Sequence, residues 1–154
     1  MGSDDYSDKA KQRIDSANHM LTVSYPLVED PKILLSVAKN LLKAAEFSIE
    51  GALHKADNVS NYKDSVDSKY NAFIQNVVPK YDIDKKHIET ITNLKEIVQT
   101  HEDSSVEFKR DKKFVMADET YELRTLSKKD LQQYLRKTRN LIKEVEAKIH
   151  GGTH

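Results

Sequence analysis

The chain has 154 residues, 25 Lys and Arg against 25 Asp and Glu, 38% hydrophobic residues and no cysteine. That length fits one domain with a sizeable core, and the lack of Cys excludes disulfides and thiolate chemistry. No run approaches 18 apolar residues, so no membrane span is expected. The opening MGSDDYSDKAK is acidic and has no apolar stretch, unlike a signal peptide, and a cytoplasmic protein is the expectation.

Only four Gly and three Pro interrupt a chain rich in Lys, Glu, Leu and Ala, which points to helices throughout. The first is expected over about residues 5–23, with Ala10, Ile14, Ala17 and Leu21 on one face. Tyr25-Pro26 should end it, because a residue before proline is pushed out of the helical region. The second, over about 31–57, gives the clearest signal. Asp30 is its expected cap and Pro31 its first residue. Leu35, Ala38, Leu42, Ala45, Ile49, Ala52 and Ala56 recur at alternating threes and fours, and Leu34, Val37, Leu41, Ala44, Phe47 and Leu53 widen the stripe. Such a girth needs neighbours on several sides, so this is the expected central helix. Ala38, Ala45 and Ala52, one every seven residues, form a seam along which another helix could approach closely.

A third helix is expected over about 61–78, with Pro79 ending it, and a fourth over about 84–102, capped by Asp84 with Ile88, Ile91, Leu94 and Val98 facing the core. Between residues 106 and 126 the apolar residues alternate instead, as in Val106 and Phe108, Phe114 and Met116, Tyr121 and Leu123. This predicts a small β-hairpin or three short strands packed on the bundle. A last helix over about 128–150 opens with a Ser127-x-x-Asp130 cap and should stop at Gly151-Gly152. The sum is an all-α, up-down bundle of about five helices with a β-hairpin insertion before the last, in a single domain spanning 1–154.

Chemistry-bearing motifs are scarce. None of the six histidines has Glu three residues before it, so a di-iron bundle is excluded. Glu50 and His54 are one turn apart, a spacing more typical of a surface pair than of a metal site. Glycine-rich phosphate loops and the Gly-x-Ser-x-Gly elbow are absent. No cofactor, metal site or catalytic group is expected from these patterns. An enzyme site formed by Tyr25, Glu50 and His54 rests on residue type alone.

Charge is unevenly placed. Between Lys109 and Lys143 stand eleven Lys and Arg against five Asp and Glu, a local excess of six. The candidate nucleic-acid contacts are Lys109, Arg110, Lys112, Lys113 and Arg124 around the insertion, and Lys129, Arg136, Arg139 and Lys143 on one flank of the last helix. A solvated outer face is the competing reading, and no aromatic residue interleaves with the four helix cations on their flank.

The strings LTVSYPLVEDPKILL and FKRDKKFVMADETYELRTLS resemble uncharacterised archaeal helical proteins of similar length, a resemblance that implies no activity. LLKAAEFSIEGALHKA resembles the second core helix of HEPN domains, helical bundles found in RNases and toxin–antitoxin partners. The HEPN RNase motif is Arg followed after four to six residues by His. Only Arg13 and His19 fit that spacing, with Ile14 where a polar residue is usual and in the first helix rather than a later one. Arg139-Asn140 begins correctly, but His150 is too distant. The resemblance therefore implies an RNA-associated bundle without a well-placed RNase motif. The leading expectation is a non-enzymatic interaction or scaffold protein, homodimeric through the alanine seam. The alternative is the RNA-associated protein, and the partners to consider are a second copy, RNA or another protein.

Overall fold

The computed structural model describes residues 3–30, 32–57, 66–103, 106–110, 113–117 and 123–150. Among them the chain forms five helices: α1 over 3–28, α2 Lys32–Asp57, α3 over 66–80, α4 Lys86–Asp103 and α5 over 128–150. None of these is long and apolar enough to cross a membrane.

α1 and α3 run past the prolines that were expected to end them. In each a five-residue π turn, Met20–Ser24 or Phe73–Val77, precedes the proline by two positions. Proline lacks an N–H, and its ring clashes with the carbonyl four residues back. The wider turn bonds Tyr25 N–H to Met20 O and Val78 N–H to Phe73 O, and the helix continues through Pro26 and Pro79. α1 stops instead at Glu29, whose left-handed backbone (φ 55°) sends its N–H to Tyr25 O at 2.7 Å. α3 is followed by Tyr81 and by Asp82, also left-handed at φ 52°. The start expected at residue 61 lies outside the described residues.

α2 is the central helix and contacts the other four. Asp30 caps it, its Oδ1 accepting from Lys32 N–H at 3.0 Å. Leu34, Val37, Ala38, Leu41, Ala44, Ala45 and Ala52 are completely buried along it. Its most extensive partner is α1, which presents the equally buried Ala10, Ala17 and Leu21. The two run antiparallel: Tyr6 meets His54 at one end, and Asn40 reaches Met20 Sδ at 3.6 Å nearer the other. Ala38, Ala45 and Ala52 lie on another side of α2, where Ala45 and Ala52 are buried with Ala72 and Phe73 of α3 and Leu141 and Val145 of α5. They leave no free seam for a second copy.

Before α5 the sequence predicts a hairpin or three short strands. The chain there forms three strands, β1 Val106–Arg110, β2 Lys113–Ala117 and β3 Leu123–Leu126, antiparallel in the order β1-β2-β3. Val106 pairs with Ala117 and Phe114 with Leu126. The physical reason for a third strand is that a two-stranded ribbon is marginal in water. Here β2 contacts α2 and α4, and Leu126 at the end of β3 is buried with Leu131 and Leu135 of α5.

α5 opens on a complete capping box. Ser127 Oγ accepts from Asp130 N–H at 3.2 Å, and Asp130 Oδ2 accepts from Ser127 N–H at 3.1 Å. Its buried face carries Leu131, Leu135, Thr138, Leu141, Ile142, Val145 and Ile149. Thr138, the polar member, donates to Tyr134 O at 2.7 Å. Gly151-Gly152 lies outside the described residues.

Candidate functional site

Two features stand out: a polar cleft between α4 and α5, and the outer flank of α5. The cleft begins with how α4 starts. Asp84 Oδ1 accepts from Lys86 N–H at 3.0 Å, and this backbone hydrogen bond is the main reason its carboxyl lies below the ordinary range. The cap turns His87 inward, where it is 1% exposed. The inner face of α4 therefore differs from the expected stripe. His87, Thr90, Ile91, Leu94 and Ile97 are buried, and Ile88 is only partly so.

Glu144 of α5 meets this inner face. Its Oε1 lies 3.2 Å from His87 Nε2, and its Oε2 accepts from Asp84 N–H at 2.6 Å and lies 3.5 Å from Lys148 Nζ. Burial raises the Glu144 carboxyl, but the Asp84 N–H, His87 and Lys148 outweigh it and hold it below its ordinary value. An ionised carboxylate only accepts, so the proton between Glu144 and His87 resides on Nε2. The other ring nitrogen, Nδ1, is buried and has no partner among the described residues. Beside the ring opens a cleft of about 230 Å³, walled by Lys86, Glu89, Thr90 and Asn93 of α4 and by Lys137 and Asn140 of α5.

The flank of α5 next to this cleft is basic. Lys129, Arg136 and Lys143 are exposed and Arg139 is half-buried. No ion pair joins any of these four to another described residue. The acids of α5 are engaged elsewhere: Asp130 in the capping box, Glu144 with His87, and Glu146 with Lys11 at 3.1 Å. Lys129, Arg136 and Lys143 recur every seven residues, about 10 Å apart along the axis. Of the insertion's candidates, Lys109, Arg110, Lys113 and Arg124 lie on the strands, where Arg110 pairs in register with Lys113 and Arg124 with Met116. Lys112 lies outside the described residues.

Other sequence candidates do not converge. His54 is exposed and tilted against Tyr6, with ring centroids 6.0 Å apart. Glu50 accepts instead from Lys69 of α3 at 3.0 Å. Tyr25 is buried at the opposite end of the α1–α2 pair, so the Tyr25–Glu50–His54 site does not exist. The Glu50–Lys69 pair borders a separate gap of about 20 Å³, room for a water, with Glu46 and Lys95. Burial chiefly raises the Glu46 carboxyl, against opposition from Lys43, Lys95 and Lys69 and with help from Glu50. Arg13 and His19 are exposed on α1, and Arg13 donates to Asn40 Oδ1 at 3.2 Å. Among the described residues no three His, Asp or Glu side chains group as metal ligands.

Sequence reading missed the His87–Glu144 pair because the partners stand 57 positions apart, beyond any local pattern. One signal was present: Ile83, His87, Ile91 and Leu94 follow helical spacing, which places His87 in line with the core. Comparison with protein-family models, curated proteins and solved structures finds no match.

Proposed function

We propose that the protein is a non-enzymatic helical binding domain of the cytoplasm that engages RNA through the basic flank of α5. The observation that carries this reading is the row Lys129, Arg136, Arg139 and Lys143. These are four cations on one side of a single rigid helix, without ion-pair partners among the described residues. Cations balanced within a fold are neutralised by nearby carboxylates, whereas here the acids of the same helix are drawn to other tasks. A row spaced along about 20 Å of helix matches a phosphate backbone better than a compact anion. The HEPN resemblance of α2 fits an RNA-associated bundle, and the exposed, unrelated settings of Arg13 and His19 fit one that does not cleave. The test is binding of a short single-stranded RNA across salt concentrations, with Arg136→Glu/Arg139→Glu as the variant. Affinity that falls with salt and collapses in the variant supports the reading, and no binding at low salt ends it.

A second reading, a protein partner such as another copy of this chain, has one observation in its favour. Val23, Leu27 and Val28 at the end of α1 are 43%, 80% and 64% exposed, a small apolar patch. Sedimentation of the protein and of Leu27→Asp tests it. A dimer lost in the variant supports this surface, and a monomer at high concentration removes the second copy as its occupant.

A further inference from the structure

The outer groove between α1 and α2 has no part in the RNA reading. We propose that it is a docking surface for a short acidic segment of another protein, held by Lys9, Arg13, Lys39 and Lys43 around Phe47. This surface is separate from the α5 flank and does not depend on it.

The antiparallel pairing of α1 with α2 builds the groove residue by residue. Arg13 donates to Asn40 Oδ1 at 3.2 Å. One turn earlier on α1 and one turn later on α2, Lys9 and Lys43 converge on a single ring. Their Nζ atoms stand 5.6 and 5.2 Å from the centroid of Phe47. At the far end Tyr6 rests against His54. Lys9 and Arg13 are four residues apart on α1, as Lys39 and Lys43 are on α2, so each pair shares one side of its helix. Four cations thus gather over about one turn of each helix.

Like charges this close repel, and the fold supplies little to offset them. None of the four makes an ion pair with a described residue. Glu50 of α2 accepts instead from Lys69 of α3 at 3.0 Å. Glu46, which feels Lys43, stands half-buried in the gap with Lys69 and Lys95. Contact with the face of Phe47 orders the two ammonium groups without neutralising them. The groove is therefore a preformed cationic cluster in want of an anion.

The shape of the cluster decides which anion. A single nucleic-acid strand suits a row of cations and open rings for its bases. Here the cations lie at one level of two helices, and Phe47 is half-buried beneath Lys9 and Lys43. The same helix exposes Asp5, Asp8 and Asp15, which would repel a long polyanion laid across α1. A short run of carboxylates fits this ground. Arg13 has N–H groups beyond the one bonded to Asn40 and can meet a carboxylate with two of them. The partly buried Met20 and Phe47 offer apolar contact to a residue between the acids.

The experiment is binding of the full chain to a fluorescein-labelled decapeptide of Glu and Asp with one central Leu, followed by anisotropy and by backbone NMR shifts. The expected result is saturable binding that weakens with salt and moves the amides of Arg13, Asn40, Lys43 and Phe47. Lys39→Glu/Lys43→Glu should weaken it about tenfold, and the milder Lys39→Ala/Lys43→Ala about threefold. Both positions are exposed, so the fold is kept, and thermal unfolding checks that it is. The two readings fail separately. Arg136→Glu/Arg139→Glu should leave peptide binding unchanged, and Lys39→Glu/Lys43→Glu should leave RNA binding unchanged. Peptide shifts that do not saturate, that ignore Lys39→Glu/Lys43→Glu, or that follow Lys129, Arg136 and Lys143 instead overturn the proposal. So does single-stranded RNA that moves the α1–α2 resonances, which makes this face a second RNA surface. A dimer of the free chain that Lys39→Glu/Lys43→Glu dissolves also overturns it, because the occupant is then a second copy.

Discussion

Replacing Glu144 by Ala should destabilise the protein by about 2 kcal/mol. Glu144 holds Nε2 of an imidazole that is 1% exposed and whose Nδ1 already lacks a partner. Truncation leaves both ring nitrogens buried and unpaired, a cost of roughly 1–3 kcal/mol. The Asp84 N–H, at the exposed cap, turns to water and adds little, and Lys148 is too exposed to matter much. In a chain of this length about 2 kcal/mol lowers the midpoint of thermal unfolding by roughly 4–8 °C. Glu144→Gln keeps an acceptor and should lose less. The loss should also depend on pH in a definite direction. The folded-state Glu144 carboxyl is held below its ordinary value, so its contribution is complete above the ordinary carboxylate range and disappears as pH falls through the lower folded value. Wild type and Glu144→Ala should thus differ most at pH 6, and the difference should narrow as pH falls below the ordinary carboxylate range. Calorimetric unfolding at several pH values measures this. A difference below about 0.5 kcal/mol at pH 6 would show that the His87–Glu144 contact does not hold the α4–α5 junction.

Two further substitutions test the packing and the second charge cluster. Ala45→Leu puts added volume where α2 is completely buried and should cost about 1–3 kcal/mol, read from denaturant unfolding. Tolerance within about 0.5 kcal/mol would mean that the alanine seam has slack. Glu46→Gln should raise the unfolding midpoint at neutral pH and lose that advantage in acid. A carboxyl raised by burial weakens the fold when ionised, and that penalty vanishes below its unfolded-state value. A destabilised Glu46→Gln at pH 7 would show that Lys43, Lys69 and Lys95 outweigh the burial.

What the sequence could reveal followed from how local each signal is. The spacing of Leu35, Ala38, Leu42, Ala45 and Ile49 is a property of one helix, and it identified α2 as central. The Ser127–Asp130 cap spans three residues and marked the start of α5 equally well. Pro26 and Pro79 misled because a proline's effect depends on the turn before it. A π turn removes the clash, and no residue type announces that turn. The alanine seam was visible, but its occupant was not, because a neighbouring helix of the same chain and a second copy would leave the same pattern. The stripe of α4 was legible in part: Ile91 and Leu94 are buried as expected, but His87, Thr90 and Ile97 join them while Ile88 and Val98 are only partly buried. The cleft depends on the meeting of α4 with α5, so it had no sequence signature beyond the in-line position of His87.

The most direct test of the proposed function is the salt dependence of binding to single-stranded RNA. Four phosphate contacts predict a slope of log K against log salt of about −3. Arg136→Glu/Arg139→Glu should flatten that slope by about half and weaken binding at every salt concentration. An RNA affinity insensitive to the substitution, or no affinity at low salt, would contradict the assignment of the α5 flank as the contact surface.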